Sequence, residues 1–554
     1  MRTSATPLAL CALLLAASTC TGNRGTRSPG GITSAPVDVP GIRVETLDIP
    51  LSGPNADTYG QDVAHTPNAV EARMIEVILA SGRATAGSAE NRMARELART
   101  MPSKFSQPTS LVDGLLAWSG IVHPPPRVSI IEVPAEGGDC LQDPKAGACP
   151  DGITRLAREV GRELPQGSRF GAGAVKVGDV TRLLVLAYEP TVALQPLPVR
   201  ISARDHLPIR GQLLGGRTRP WVDVVGPNQH WKPDIGVKGP EFHSVFDCRD
   251  GRGVYQLEIF GEGPHGPEVV ANFPLYCGVE PPTQITVINE EVASAVDLPA
   301  VEKANFEMLN RTREARGLPR LQWSEEAAQI ARAHSQDMAD HGFVGHRSPT
   351  TGSPDDRFAR AGIVTAVARE NISRGYGPNG IHESLMGSPG HRVNILADDV
   401  THVGIGAVLG PNESEAEDAP RPILLTQNFF MPPGADVPDD PVAALKSEVD
   451  QARQKSGLPP VAWASDLHAV AQILADGHGQ GNARAAERAY KEALDRVDYE
   501  TAARQEVIAA SFRQLVSFEL WATQIPGEIG IGIAKIESGK KAGSLAMVLL
   551  MVTR

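Results

Sequence analysis

Rings, thiols and surplus positive charge are all scarce in this chain. Phe, Trp and Tyr make up 5% of its 554 residues, and only six residues are Cys. Lys and Arg number 53 against 65 Asp and Glu, a formal net charge of −12. That balance excludes nucleic acid as a partner, because nothing basic is left over to displace phosphate counterions. After the first twenty residues no apolar run is long enough to cross a bilayer as a helix. What is present is length, enough for three to four domains that each bury a core.

The first twenty residues stand apart. Arg2 precedes an apolar stretch from Leu8 to Ala17, followed by small residues and Cys20, the pattern of an export signal at 1–20. Ala17-Ser18-Thr19-Cys20 is an imperfect lipobox. Cysteine parity adds a second argument. Export leaves Cys20, Cys140, Cys149, Cys248 and Cys277, an odd set, and lipidation of Cys20 leaves four for two disulfides. The expectation is a cell-envelope lipoprotein, or a secreted or periplasmic protein if Cys20 stays unmodified and unpaired. A membrane contact is expected only through that lipid.

Downstream, three short motifs could converge. They are Gly345-His346-Arg347-Ser348-Pro349, Glu370-Asn371-Ile372 and Ser388-Pro389-Gly390-His391-Arg392-Val393-Asn394-Ile395-Leu396, followed by His402-Val403-Gly404-Ile405-Gly406. With these motifs in this order, 297–433 resembles a CAP domain, the SCP-like superfamily of cysteine-rich secretory, antigen 5 and pathogenesis-related proteins, in its bacterial extracellular branch. The resemblance covers roughly a quarter of the chain and implies an α-β-α sandwich.

The pieces around it read from period and punctuation. Residues 21–60, rich in Gly, Pro, Ser and Thr, read as a flexible tether. An α/β domain follows at 61–194, with a loop-like stretch at 124–152 that brings Cys140 near Cys149. Over 195–280 short alternating segments such as Trp221–Val225 and Val254–Ile259 suggest an antiparallel β-sandwich, immunoglobulin-like in architecture. If Gly261–Pro267 is a turn there, Cys248 and Cys277 face each other and pair.

Arg316-Gly317-Leu318-Pro319 before Trp323 is echoed by Ser456-Gly457-Leu458-Pro459 before Trp463, and Gly404-Ile405-Gly406 by Gly530-Ile531-Gly532. So 440–554 is expected to be a degenerate CAP-like repeat. Gly171-Ala172-Gly173 before Leu183–Tyr188 suggests a third copy within 61–194. None of these Gly-x-Gly pieces has the context of a dinucleotide fingerprint. The fold class expected is α+β multidomain.

The chemistry centres on His346, Glu370, His391 and Ser388. Ser388 suits a helix N-cap and Pro389 the first helical position, which puts His391 in the first turn. The positive end of the helix dipole disfavours an imidazolium there. In the family resembled, two histidines and two acidic residues line a cleft that can hold Zn2+. Carried over, His346 and His391 are the metal ligands and Glu370 one acid, while Ser388 occupies the place of the second. Glu383 or His382 could compensate from one turn earlier. The bland reading is that both histidines and Glu370 merely brace loops. His334, on an apolar helix face, reads as a core histidine, Asn371 and Asn394 as turn braces, and Trp323 and Trp463 as core.

Three functions remain open. One is a cleft that binds a divalent metal, a small ligand or cell-envelope material. Another is metal-assisted hydrolysis of peptides or envelope material with His346, Glu370 and His391 as the catalytic set. The third is a structural or adhesive envelope protein. Catalysis lacks a nucleophile, because Ser348 has no elbow pattern around it. The segment 440–554 lacks all three pocket residues, so the fold does not require them.

Overall fold

Where strands lie flat on helices, Gly-x-Gly pairs set the spacing. The computed structural model describes residues 36–554 apart from 104–106, 135–138, 293–295, 413–419, 526 and 540, so Cys20 and the expected signal lie outside it. Strand His402–Leu409 runs across helix Glu325–His341, and a Cβ on Gly404 or Gly406 would collide with the backbone of Ala327, Ala328 and Arg332. Gly171 and Gly173 meet helix Ser88–Thr100 in the same way, and Gly530 and Gly532 meet helix Ser465–Gly479. Each pair therefore serves helix–sheet packing.

Within 297–433 the sheet order is Gln322–Trp323, His402–Leu409, Ile423–Met431, Val367–Gly375. The first pair is parallel and the others antiparallel. Helix Leu298–Glu314 starts at Asp297, whose side chain accepts the Ala300 amide, and helix Glu325–His341 starts at Ser324 and stops at Gly342 with φ 66°. The stop throws the chain into the loop that carries His346.

In 61–194 the order is Ala84–Ala86, Ser168–Val177, Val180–Tyr188, Arg127–Pro134, again with a parallel first pair. In 440–554 it is Glu528–Lys535, Leu545–Thr553, Thr501–Ala509, with Trp463 bridging Ile529 in parallel. Between 192 and 277 two sheets of four and five strands share one apolar core that includes Phe246, Tyr255 and Phe273. Both expected disulfides are present. Cys140–Cys149 pins the start of helix Cys149–Glu163, and Cys248–Cys277 ties the two sheets together, with Cα atoms 6.1 Å apart.

Several expectations are corrected. Part of the supposed tether, Ile42–Pro50, is a strand paired along its whole length with Gln284–Val292. Its apolar residues split between two cores: Ile49 packs with helix Thr109–Ser119, and Ile42 with 297–433. The supposed loop 124–152 contains strand Arg127–Pro134, an edge strand with Val133 buried and Ile130 and Ile131 half-buried against its neighbours. Trp323 and Trp463 do pack against the cores of their domains, but from sheet edges and only half-buried. Among the described residues no helix is long and apolar enough to cross a membrane.

Candidate functional site

Strand Val367–Gly375 lies antiparallel to Ile423–Met431 and sets Glu370 opposite Asn428 and Asn371 opposite Gln427. Glu370 is 6% exposed, and both its oxygens are engaged. His346 Nδ1 lies 2.9 Å from Oε1, and Arg357 Nη2 donates to Oε2 at 2.5 Å. Burial pushes the Glu370 carboxyl up, but the His346 hydrogen bond and the Arg357 charge outweigh it and hold it below the usual carboxylate range. An ionised carboxylate accepts, so the His346 proton sits on Nδ1. His346 Nε2 takes no part in that pair.

Arg357 also fixes the loop that carries His346. Its Nη1 donates to Gly352 O at 2.7 Å and His346 O at 3.2 Å. Helix Pro354–Arg360 presents it through a capping box between Ser353 and Asp356. Ser348 is 4% exposed and accepts the amides of Thr350 and Thr351 while its hydroxyl bonds to Asp337. It braces the loop and is not presented as a nucleophile.

The His391 side is held by amides. Ser388 caps helix Pro389–Ile395 by accepting the His391 amide at 3.4 Å. Asn371 Nδ2 donates to His391 O and to Gln427 Oε1, both at 3.0 Å, and Gln427 passes the chain to Asn305 at 2.6 Å. Asn394 bridges Glu370 O and Asn371 Oδ1 at 3.1 and 2.8 Å. The backbone beneath both pocket residues is thereby tied together. Burial first, and the nearby His346 second, hold the His391 imidazole down to about 3, so it is neutral at pH 7. That cause is stronger than the helix end alone.

His334 is fully buried, its Nε2 lies 3.1 Å from Gly345 O, and it braces the His346 loop from below. His382 and Glu383 do not join the pocket: His382 Nε2 pairs with Thr312 Oγ1 at 3.0 Å, and Glu383 faces Ser110 outside this domain. Among the described residues no group of three His, Cys, Asp or Glu is set to hold a metal ion. His346 and His391 are the two imidazoles that could hold a metal here.

Residues 306–429 match the profile of the cysteine-rich secretory protein family, CAP. The chain carries a CAP domain. It is 40% identical over 121 residues to YkwD of Bacillus subtilis and 36% identical over 107 residues to the membrane protein YlbC of the same organism. These matches cover 22% and 19% of this chain but only 47% and 31% of the two relatives' own lengths. Among solved structures, an extracellular SCP-domain protein from Bacillus anthracis is 18% identical, covering 44% of this chain and 86% of that one at a TM-score of 0.22. A cysteine-rich secretory protein from Staphylococcus aureus is 12% identical, covering 47% and 85% at a TM-score of 0.19.

Arg357, Gln427 and Asn305 escaped the sequence reading. Arg357 stands in Asp355-Asp356-Arg357-Phe358-Ala359-Arg360, where it looks like any charge on a solvated helix face. The Ser353–Asp356 cap was a legible signal for the helix, but nothing local separates buried Arg357 from exposed Arg360.

Proposed function

We propose that the CAP cleft is a ligand site in which His346 and His391 act together, with a divalent metal such as Zn2+ as its simplest occupant. The observation that carries this reading is the Arg357–Glu370–His346 relay. A buried arginine holds a buried carboxylate, which orients one imidazole and leaves its other nitrogen unclaimed. A loop brace alone has no use for a second histidine kept neutral across the pocket. Hydrolysis finds less support, because both Glu370 oxygens are already engaged and Ser348 is committed to its loop.

Around that site we read 61–194 and 440–554 as CAP-like scaffolds, supported by their strand order and Gly-x-Gly packing. The 195–280 segment reads as an immunoglobulin-like sandwich. Export to the cell envelope, with Cys20 as an anchor, rests on the first twenty residues and on cysteine parity.

Calorimetric titration of Zn2+ into the full chain tests the site. Saturable heat in the parent, absent in a folded His346→Ala/His391→Ala variant, is the expected result. Equal heat in both would sink the metal reading, and activity of the double variant in any envelope function would favour a structural role.

A further inference from the structure

Both loops that carry the cleft histidines are covered from outside the CAP domain. The hairpin joining Gly253–Gly263 to Gly266–Cys277 lies over residues 343–347. There the Arg347 amide donates to His265 O at 2.9 Å, His265 Nδ1 lies 3.2 Å from Arg347 O, and the His265 ring stacks on Phe343 with centroids 4.8 Å apart. On the other loop, a side chain on Gly390 would meet the ring of Phe260. Glu258, fully buried on the same strand, accepts the Gly390 amide at 3.0 Å and a hydrogen bond from Ser388. One strand and its hairpin thus hold the His346 loop and the His391 loop at once.

Glu258 also belongs to a junction of four carboxylates from four separate segments. Asp113 comes from helix Thr109–Ser119, Glu290 from strand Gln284–Val292 and Glu383 from helix Pro378–Gly387. Their hydrogen-bond partners are neutral. Glu290 accepts from the Asn379 amide at 3.0 Å, Asn379 Nδ2 at 2.9 Å and the Gly380 amide at 2.8 Å, and Glu383 faces the Ser110 hydroxyl. One buried oxygen of Glu258 and one of Glu383 have no partner at all. Burial, reinforced by Asp223 and Asp113, pushes Glu258 up to about 8. Burial, reinforced by Glu290 and Asp113, pushes Glu383 up to about 7, and burial alone takes Asp113 to about 7 and raises Glu290.

The other charged groups on the elements packed here have their own business. Asp223 pairs with His230 at 2.8 Å and Lys232 at 3.5 Å, and Glu262 with Arg219 at 3.2 Å. Glu268 pairs with Arg217 at 2.9 Å, and Glu291 with Arg43 at 3.6 Å. His382 is turned to Thr312, His391 is neutral, and Arg392 lies beside Arg316 on a cavity of about 330 Å3.

We propose that this junction is a proton-controlled latch on the CAP cleft. While its carboxylates carry protons, the two-sheet module stays docked over the His346 and His391 loops. When they ionise, releasing their protons to solvent, like charges gather around the fully buried Glu258 and the module lifts. The sign follows from linkage. The docked state binds protons that the undocked state would release, so docking is unopposed below the ordinary carboxylate range and weakens as pH rises through 7 to 8. The consequence for binding rests on the cleft being a ligand site, but the lifting itself does not.

Hydrogen exchange of the full chain reads the latch without any ligand, because the Arg347 and Gly390 amides are bonded to His265 and Glu258. Between about pH 5.5 and about pH 8.5, protection of both amides, corrected for intrinsic rates, should fall at least about tenfold, with a larger scattering radius. Glu258→Gln/Glu383→Gln keeps acceptors in place and cannot ionise, so it should stay protected at both pH values. Should that variant misfold, Asp113→Asn should show a reduced response. Unchanged protection in the parent across that range overturns the latch. Zn2+ titrations on the same samples separate the two ideas: exchange that responds without metal binding supports the latch and removes the metal, and metal binding without an exchange response does the reverse.

Discussion

In the CAP domain and again in 440–554, a buried arginine near the end of the first helix satisfies three backbone carbonyls. Arg313 donates to Pro319 O at 2.9 Å, Ile395 O at 2.8 Å and Ala397 O at 2.6 Å. Arg453 donates to Pro459 O at 2.8 Å, Trp521 O at 2.7 Å and Thr523 O at 2.8 Å. The two regions part company at their polar interiors. Glu302, held by Arg332 at 2.7 Å, accepts the Ala407 amide in the CAP domain, while neutral Gln472 accepts the Ile533 amide in the other. Strand Val367–Gly375 buries Glu370 and Asn371, whereas strand Thr501–Ala509 is exposed over most of its length. His478 pairs with Glu506 at 2.7 Å, but both are partly exposed. Both regions keep the scaffold arginine, while of the two only the CAP domain buries carboxylates, with their desolvation cost, among the described residues.

Changes to the common scaffold should hurt both regions most. Gly406→Val and Gly532→Val each drive a side chain into a helix backbone, at a cost of at least about 3 kcal/mol, read by domain-resolved hydrogen exchange. A tolerated valine at only one of the two would mean that the packing is not shared. Arg313→Met and Arg453→Met strand three carbonyls each, at about 3 kcal/mol in the respective domain.

Changes to the pocket should separate the regions. Arg357→Met leaves Glu370 buried with His346 alone and should destabilise the CAP domain by about 2 kcal/mol, with 440–554 untouched. Acidification is the next test. Burial holds His382 down to about 4 and His391 down to about 3, and lowers His334, so these groups are neutral when folded and gain protons on unfolding. Stability they favour is present above about pH 6.5 and lost as pH falls below it. The CAP sheet should lose about 2 kcal/mol by about pH 5, more than 440–554, where His468 is the corresponding depressed histidine. Equal losses in denaturant titrations would remove the contrast. Smallest of all, His346→Ala should shift CAP stability by under about 1 kcal/mol, since its ring is partly exposed.

Much of the CAP domain was legible because its signals are local. Ser388-Pro389 announces a helix start, and Gly345-His346 and Glu370-Asn371 mark turns and strand by composition. A loop that brings Cys140 near Cys149 and a turn that sets Cys248 opposite Cys277 led to both disulfides. The tether reading failed at Ile42–Pro50, since a strand whose partner lies some 240 residues away has no local signature and its polar residues resemble those of a linker. Arg357 and Glu258 were missed for the same reason. Arg357 among other charges, and Glu258 at a polar position of an alternating strand, both read as solvated until the elements that bury them are known.

The sequence by itself determined the short-range elements: the caps, the Gly-x-Gly strands, the motif order and the pairing of four cysteines. The caps and turns among these follow from backbone sterics and hydrogen bonds within a few residues, and the cysteine pairs from one loop and one hairpin that close over 9 and 29 residues. Only the tertiary structure decided which charges lost their water. It seated Glu370 between Arg357 and His346, threaded the Asn305–Gln427–Asn371 chain beneath the pocket, and brought Asp113, Glu258, Glu290 and Glu383 from four segments to one junction. Desolvation is a property of everything packed around a group, and those neighbours are set by long-range contacts that no window of the chain contains.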